Sequence, residues 1–442
     1  MKDHLNTAIK EKMMFFLIFV CSTILILQTD TVYIDHYQFL IKIFKFLFLL
    51  ISLLSILLFI PKIKNDKKIR NFIIIFSLLV VIFLSINSYI YKFKVNSFLT
   101  FLFMPLIYIL YFYFSELENN NHIFMKTIEK IIVFIACISM IFWILSNIGI
   151  PFNSSLSSEW GALPNQVREL PGYFYVHFVT QQSNLSSIHL IRNSSFFSEA
   201  PIYSYVLSIG LLIKLFVLEC KKNDWEMYIL LITILSTMSI TGIIVAMLSL
   251  SYYYFVIYNI NLLSTLKKRK GVYAFATIII LLFLVLYEKF IKSDHSPLSS
   301  PSIRADDFKA GFMTFIHHPL VGSGLDNTNA IVQNMNKDRY GFNIGISTGF
   351  IEALAYGGIY LISFYIVPTL MSFKCSKKTF GLGVFTFILF ILTTVYSLYI
   401  YLVLLSYLFA TYLKKENVHI ELSSSWIRTV WSHLRLRSSQ KG

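Results

Sequence analysis

Two stretches of this chain place arginine close to a group that could act as an acid or a base. The first runs from Arg192 to Pro201 and reads RNSSFFSEAP. Arg192 can hold a phosphate through its planar guanidinium, and Glu199 can accept a proton. Each also has a plainer interpretation, Arg192 as an anchor to lipid headgroups and Glu199 as a carboxylate favoured at a helix N-terminus.

The second stretch begins at Arg304 and continues through His317-His318 to Gly322-Ser323-Gly324. Gly-x-Gly lets backbone N–H groups approach an anion closely. No strand precedes it, so a dinucleotide site is excluded. Adjacent histidines on a helix point about 100° apart and have no well-spaced third ligand, so we expect no metal. His318 stays open as a second candidate base.

Smaller polar groups could complete a site. Ser239 lies in the run STMSITG, where helix packing by small residues is the alternative interpretation. Lys42 and Lys45 are three residues apart, hence on one helix face. They could hold a lipid phosphate or extend to the membrane interface. We expect Ser198 and Asn327 to contact substrate as well.

Composition indicates that these stretches sit between membrane helices. The chain is 56% hydrophobic and 14% charged, whereas roughly 25% charged residues are typical of a soluble domain. Residues 71–90 carry no charge, which is typical of a membrane span. The net charge of +15 does not indicate nucleic-acid binding, because the basic residues lie in short connections and not on one face.

The apolar blocks predict an all-α, polytopic integral membrane protein of about twelve transmembrane helices. Cysteine gives no disulfide framework, since none of Cys21, Cys137, Cys220 and Cys375 falls in a long polar segment. The predicted spans lie near 13–29, 39–60, 71–90, 97–114, 128–150, 200–219, 227–239, 242–259, 271–291, 346–367, 380–394 and 396–413.

Lysine and arginine predict the orientation. Residues 61–70 alone hold five of them, and positive charge marks cytoplasmic connections. Both termini are then inside, and two long segments, 151–199 and 292–345, lie outside. We call them the first and second large loops. An amphipathic helix is expected at Ser302–His317, with Ile303, Phe308, Phe312 and Phe315 on one side along the membrane surface.

This organisation divides the chain into six parts. Membrane helices one to five occupy 1–150, and the first large loop follows at 151–199. Helices six to nine occupy 200–291, and the second large loop follows at 292–345. The last three helices occupy 346–413, and a basic cytoplasmic tail covers 414–442.

In three places the residues resemble the O-antigen polymerase and ligase superfamily, the Wzy-type proteins. RNSSFFSEAP is similar to that family's R-x-x-G-x-F-x-E-P segment, with Ser195 where Gly is usual and Ala200 inserted before Pro201. STMSITG resembles its short turn between two spans. RADDFKAGFMTFIHHPLVGSGLDN resembles its large outer loop, followed by a Gly-rich re-entry into a span. Ligases often carry His-Asn there, but this chain has Phe342-Asn343.

The resemblance implies a polymerase of undecaprenyl-diphosphate-linked oligosaccharide repeat units in a bacterial inner membrane, making O-antigen, capsule or exopolysaccharide. The terminal sugar hydroxyl of one lipid-linked unit would attack the anomeric carbon of another, and the diphosphate would leave. Arg192 and Arg304 would stabilise the leaving group, with Glu199 as first candidate base and His318 as second. Gly322 and Gly324 would contact substrate.

The resemblance implies no metal and no cofactor, and it implies membrane lipid and a chain-length regulator protein as partners. Two other functions stay open. An O-antigen ligase-type transferase would use a different acceptor, and the missing His argues against it. A flippase or transporter would place polar residues at mid-membrane, often within repeats. Here they concentrate in the large loops.

Overall fold

The structure is a computed structural model that describes most of the chain. The described residues are 2–37, 39, 43, 60–91, 95–117, 122–158, 167–185, 188–218, 220, 224–258, 300–340, 344–394 and 397–415. The helices are α1 (Lys2–Leu27), α2 (Val32–His36), α3 (Lys67–Ile90), α4 (Asn96–Glu116), α5 (Ile123–Ile148), α6 (Ala200–Phe216), α7 (Trp225–Ser236), α8 (Ile240–Ile257), α9 (Ser300–His317), α10 (Thr328–Val332), α11 (Gly349–Ser372) and α12 (Lys377–Leu392). Residues 60–65 and 399–415 are also helical.

Five of these helices are long and apolar enough to cross a membrane: α3, α4, α5, α8 and α11. Residues 14–27 of α1, together with α6 and α7, form shorter apolar helices. Ten predicted spans therefore coincide with described helices, whereas 39–60 and 271–291 lie almost wholly outside the described residues. The count of twelve and the orientation stay predictions, as does the basic tail beyond residue 415.

Helix α6 forms the centre of the helical bundle. All but two of its seventeen residues are buried, and it packs against α5, α7, α8 and α12. A helix that is apolar on every side must be covered by other helices or by lipid, and here other helices cover α6.

A buried ion cluster joins α5, α6 and α7. Lys214 Nζ lies 2.5 Å from a Glu226 oxygen, 2.7 Å from Asp224 and 3.7 Å from Glu129. Lys130 also pairs with Glu226, but its side chain is 48% exposed, against 8% for Lys214. The cluster thus has one buried cation and one at the surface.

The described residues are mostly helical, as the all-α prediction expected, and the first large loop adds short β-strands to them. Strands β1 (Ser154–Ser158), β2 (Arg168–Tyr173) and β3 (His177–Phe178) form an antiparallel sheet in the order β1-β2-β3. A separate hairpin pairs β4 (Gln182–Leu185) with β5 (Ile188–Ile191). The strands have two to six residues and a Ser-rich composition, so they gave no clear alternating pattern.

His177 is the most buried polar side chain of this sheet. It is fully buried beside the Phe142 ring, with 6.2 Å between ring centroids. Among the described residues, neither of its ring nitrogens has a hydrogen-bond partner. Burial lowers its pKa to about 4, because the charged imidazolium loses its hydration.

The predicted surface helix exists as α9, and two of the apolar residues expected along the membrane surface, Phe308 and Phe312, are exposed. Asp307, Ala310, Gly311 and Thr314 are the buried residues, and α9 packs on α11 through this side. Phe308 and Phe312 are exposed, together with Met313 and Ile316. The apolar side therefore points away from the bundle, as a helix in contact with lipid would present it.

Candidate functional site

One cavity, of about 250 Å³, brings the two large loops together with four helix ends. Glu199 comes from the first loop, Arg304 from the second, and Asp30 from the turn after α1. The other lining residues are Pro201, Ile202, Tyr205, Thr241, Ile303, Gly345, Ile346, Ser347, Leu392, Thr393, Thr394 and Leu398. Three charged groups from distant parts of the sequence thus share one cavity.

Glu199 reaches the cavity because it stands just before α6. It has the extended backbone of a helix-capping residue, and its side chain makes no capping hydrogen bond. Pro201 occupies the start of the helix, where its missing N–H costs nothing. The carboxylate lines the cavity instead, so a capping interaction does not account for this residue.

Arg192 lies outside the cavity lining, in contrast to its predicted catalytic role. Its Nε donates to the Thr237 carbonyl at 2.9 Å, and its Nη2 reaches the Met238 carbonyl at 3.5 Å. Burial lowers the pKa of the guanidinium, and the charge of Glu199 opposes that shift. Arg192 therefore ties the first loop to the turn between α7 and α8.

The same turn holds the rest of the RNSSFFSEAP segment in place. The buried Asn193 amide donates to Ser236 Oγ at 3.0 Å and to Ser139 Oγ at 3.3 Å. Ser239 is buried as the residue before α8, and its N–H donates to Thr237 Oγ1. The helix-packing interpretation of the STMSITG turn fits these contacts better than the predicted substrate contact of Ser239.

The backbone conformation of Ser195 is relevant to one departure of this chain from the family's R-x-x-G-x-F-x-E-P segment. Its φ is +50°, in the left-handed region where glycine is favoured, and it stands where that motif usually has Gly. Ser198 was expected to contact substrate, but it is buried and anchors the turn after α1. Its N–H and Oγ donate to the Asp30 carbonyl at 3.0 and 2.9 Å.

Arg304 lines the cavity from the first turns of α9. A buried ion network behind it fixes the cavity wall. Arg339 Nη1 lies 2.9 Å from an Asp306 oxygen and 2.8 Å from Asp307 Oδ1. Arg339 Nη2 donates to the carbonyl of Gly345, a cavity residue, at 3.0 Å.

Asp307 extends this network to Ser347, which also lines the cavity. Its Oδ2 accepts from Ser347 N at 2.9 Å and from Ser347 Oγ at 2.5 Å. Asp307 is fully buried and Arg339 is 1% exposed. The network therefore connects α9 to residues 345–347, the two parts of the second loop that form the wall.

The Gly322-Ser323-Gly324 turn packs against α11 instead of forming the predicted anion site. Helix α11 is broken at Gly358, where φ is +60°. The N–H groups of Ser323 and Gly324 donate to the Ala355 and Tyr356 carbonyls, which lie beside this break. These two N–H groups are therefore not available to an anion. They donate to carbonyls that the interruption of α11 leaves without helical partners.

His318 and Asn327 are not brought to the cavity either. The His318 side chain is exposed, and its ring lies edge-on to Tyr91 at 6.5 Å. The Asn327 amide donates to the Ser323 carbonyl at 2.8 Å, which holds the same turn. Lys42, Lys45, Phe342 and Asn343 fall outside the described residues.

Asp30 and Tyr205 are two of the polar cavity residues that were not predicted from the sequence. An acidic residue directly after an apolar helix was the available signal for Asp30. No sequence pattern distinguishes Tyr205 from the other tyrosines, of which the chain has 27 in all. Within the described residues its hydroxyl has no hydrogen-bond partner, although the side chain is 2% exposed. A buried polar group without a partner is unusual and calls for an explanation.

Comparisons with known proteins add no relative. No family profile matches this chain, and no curated protein matches its sequence. The proposals below therefore rest on the geometry of the cavity and on the resemblance of the motifs.

Proposed function

We propose that this chain is a membrane glycosyltransferase that polymerises oligosaccharide repeat units carried on undecaprenyl diphosphate. One observation carries the proposal. Arg304 of the second large loop and Glu199 of the first line the same cavity, beside the N-terminus of α6. A cation for a leaving diphosphate and a carboxylate for an attacking hydroxyl are the two groups that this transfer needs.

In the proposed step, the terminal hydroxyl of one lipid-linked glycan attacks the anomeric carbon of another. A bond forms between the hydroxyl oxygen and that carbon. The bond from the carbon to the diphosphate oxygen breaks, and its electron pair leaves with undecaprenyl diphosphate. The hydroxyl proton passes to Glu199. Arg304 stabilises the charge that grows on the diphosphate, and such fixed charge acts most strongly where water is excluded.

The structure changes the part we assign to two other predicted residues. Arg192 is proposed to act as a positioning residue, since its guanidinium holds the turn at Thr237 and Met238. His318 is left without a role in the transfer, because its exposed ring does not line the cavity. Glu199 is then the better-placed of the two candidate bases.

The test is product length in cells of the organism that carries this chain, with the wild type replaced by Arg304→Ala or Glu199→Gln. Polysaccharide is separated on a gel at matched protein levels. We expect the ladder of long chains to disappear while single repeat units remain at the surface. In enzymes generally, removing one such donor costs on the order of 10²- to 10³-fold in rate.

Arg168→Ala is the matched control. Arg168 is an exposed arginine of β2 in the first large loop and does not line the cavity, so its ladder should equal the wild type. An unchanged ladder in Arg304→Ala would remove the proposed leaving-group role. Loss of single units together with the ladder would indicate a flippase or a ligase instead.

A further inference from the structure

The cavity holds a second carboxylate that the proposed transfer does not use. Asp30 lies in the turn between α1 and α2, and it lines the cavity with Glu199 and Arg304. Its φ is +42°, which is unusual for any residue but glycine. Aspartate and asparagine tolerate this conformation better than most side chains. Strained backbone of this kind persists where the surrounding structure holds it, and often marks a functional site.

The strained turn is held by main-chain contacts. Ser198 donates two hydrogen bonds to the Asp30 carbonyl, and Val32 N–H donates to the Phe196 carbonyl at 3.0 Å. The turn after α1 is thereby fixed to the segment that carries Glu199. This fixing uses the carbonyl of Asp30, so a substitution of its carboxylate leaves the anchor in place.

The charges of the lining residues indicate what the interior can bind. Two carboxylates, Asp30 and Glu199, face one arginine, Arg304. A polyanion would be repelled everywhere except beside Arg304. A neutral sugar suits the rest of the space, because carboxylates accept hydrogen bonds from hydroxyl groups. The apolar side chains of Ile202 and Leu398 can cover its C–H surfaces.

The hydroxyl of Tyr205 provides an independent observation. The residue lines the same cavity and is 2% exposed, and its buried hydroxyl has no hydrogen-bond partner among the described residues. A buried hydroxyl without a partner costs free energy, and a ligand hydroxyl would supply the missing bond. Asp30 and Tyr205 together offer an acceptor and a donor to neighbouring hydroxyl groups of one ring.

We infer that Asp30 and Tyr205 form the acceptor-sugar subsite, which binds hydroxyl groups of the terminal sugar and presents one of them to Glu199. This subsite rests on the proposed function, because it supplies the nucleophile for the transfer. Arg304 is the cation among the lining residues and would hold the diphosphate. The two groups therefore bind different parts of the substrate and can be tested separately.

The experiment measures how tightly the full chain, held in lipid nanodiscs, binds each of two probes. The first probe is the repeat-unit oligosaccharide. It is released by mild acid from the lipid-linked units of a strain that lacks this protein, and the released oligosaccharide carries no diphosphate. The second is undecaprenyl diphosphate without sugar. We expect Asp30→Asn to weaken oligosaccharide binding by roughly 10- to 100-fold, the range for a hydrogen bond to a charged group. Tyr205→Phe should weaken it less.

Undecaprenyl diphosphate should bind Asp30→Asn as it binds the wild type, whereas Arg304→Ala should show the reverse pattern. Asp338→Asn is the control, because Asp338 is an exposed carboxylate of the second loop outside the cavity. Equal oligosaccharide affinity in wild type and Asp30→Asn would overturn the subsite and leave the polymerase proposal standing. Failure of the wild type to bind either probe would overturn both.

Discussion

The guanidinium of Arg339 and the carboxylate of Asp307 form a buried ion pair, with Nη1 and Oδ1 2.8 Å apart. The pair links the second large loop to itself across the cavity wall. Arg339 holds Gly345 and Asp307 holds Ser347, so both partners fix residues that line the cavity. Neither residue touches the cavity, and their contribution to activity is through the wall.

Removing one partner of this pair should destabilise the protein strongly. Arg339→Ala leaves Asp307 buried without its cation, and such changes cost about 3–5 kcal/mol. Arg339→Lys keeps the charge but cannot reach two carboxylates and a carbonyl at once, so we expect an intermediate loss. Thermal unfolding in nanodiscs gives the measurement. Lys337→Ala, at an exposed position two residues away, should change little.

The Gly322 turn allows a matched test of close packing. A Cβ at Gly322 would lie 2.2 Å from the Tyr356 carbonyl carbon, whereas one at Gly149 would meet nothing within 4 Å. Both glycines have positive φ, +71° and +87°, so alanine costs about 1–2 kcal/mol of backbone strain at either. Gly322→Ala should therefore lower the melting temperature well beyond Gly149→Ala. Equal effects would show that the α11 contact contributes nothing.

The ion cluster of α5, α6 and α7 allows a buried lysine and a half-exposed lysine to be compared. Lys214→Met should destabilise by about 3–5 kcal/mol, because it leaves carboxylates buried without their cation. Lys130→Met removes a half-exposed partner of the same Glu226, and exposed pairs contribute roughly 0–1 kcal/mol. Chemical or thermal unfolding of both variants should reproduce this order. The reverse order would show that Lys130, and not Lys214, is the main cation that stabilises the cluster.

His177 should make stability depend on pH. Burial lowers its pKa in the folded state to about 4, below the unfolded value of about 6.5. The unfolded chain therefore binds a proton that the folded chain excludes, so this contribution is complete above about pH 6.5 and is lost as pH falls towards 4. Between pH 7.5 and 5 the loss is about 2 kcal/mol.

Comparing wild type with His177→Phe isolates this contribution. The phenylalanine variant keeps the ring next to Phe142 and cannot bind a proton. Its melting temperature should fall less than that of the wild type between pH 7.5 and 5. A parallel decline in the two proteins would mean that His177 gains a partner that stabilises its charge.

The positions of the helices, and of two cavity residues, could be predicted from sequence because they depend on local signals. Uninterrupted apolar runs define α3 and α5, and Glu199 precedes a helix whose second residue is Pro201. Arg304 and Glu199 were assigned to loops on one side, and they line one cavity. These inferences need only neighbouring residues and the length of a membrane span.

The remaining site depended on contacts between distant residues. Arg192 was expected in the site, but the Thr237 and Met238 carbonyls, 45 and 46 residues away, hold its guanidinium. Asp30 joins the site through Ser198, at a separation of 168 residues. Neither the periodicity of the sequence nor the local spacing of its residues indicates contacts between residues this far apart. The inward face of α9 could not be predicted, because a buried carboxylate, Asp307, takes that face once Arg339 neutralises it.

The cavity wall also has a consequence for biosynthesis. Asp30 follows α1, whereas Leu398 directly precedes the helical residues 399–415, and both line one space. Helices of a nascent chain enter the bilayer in the order of translation. The wall therefore stays open until the ribosome has made nearly the whole described chain. The arginine and the carboxylates of a growing polypeptide therefore stay apart, and the cavity is complete only near the end of its synthesis.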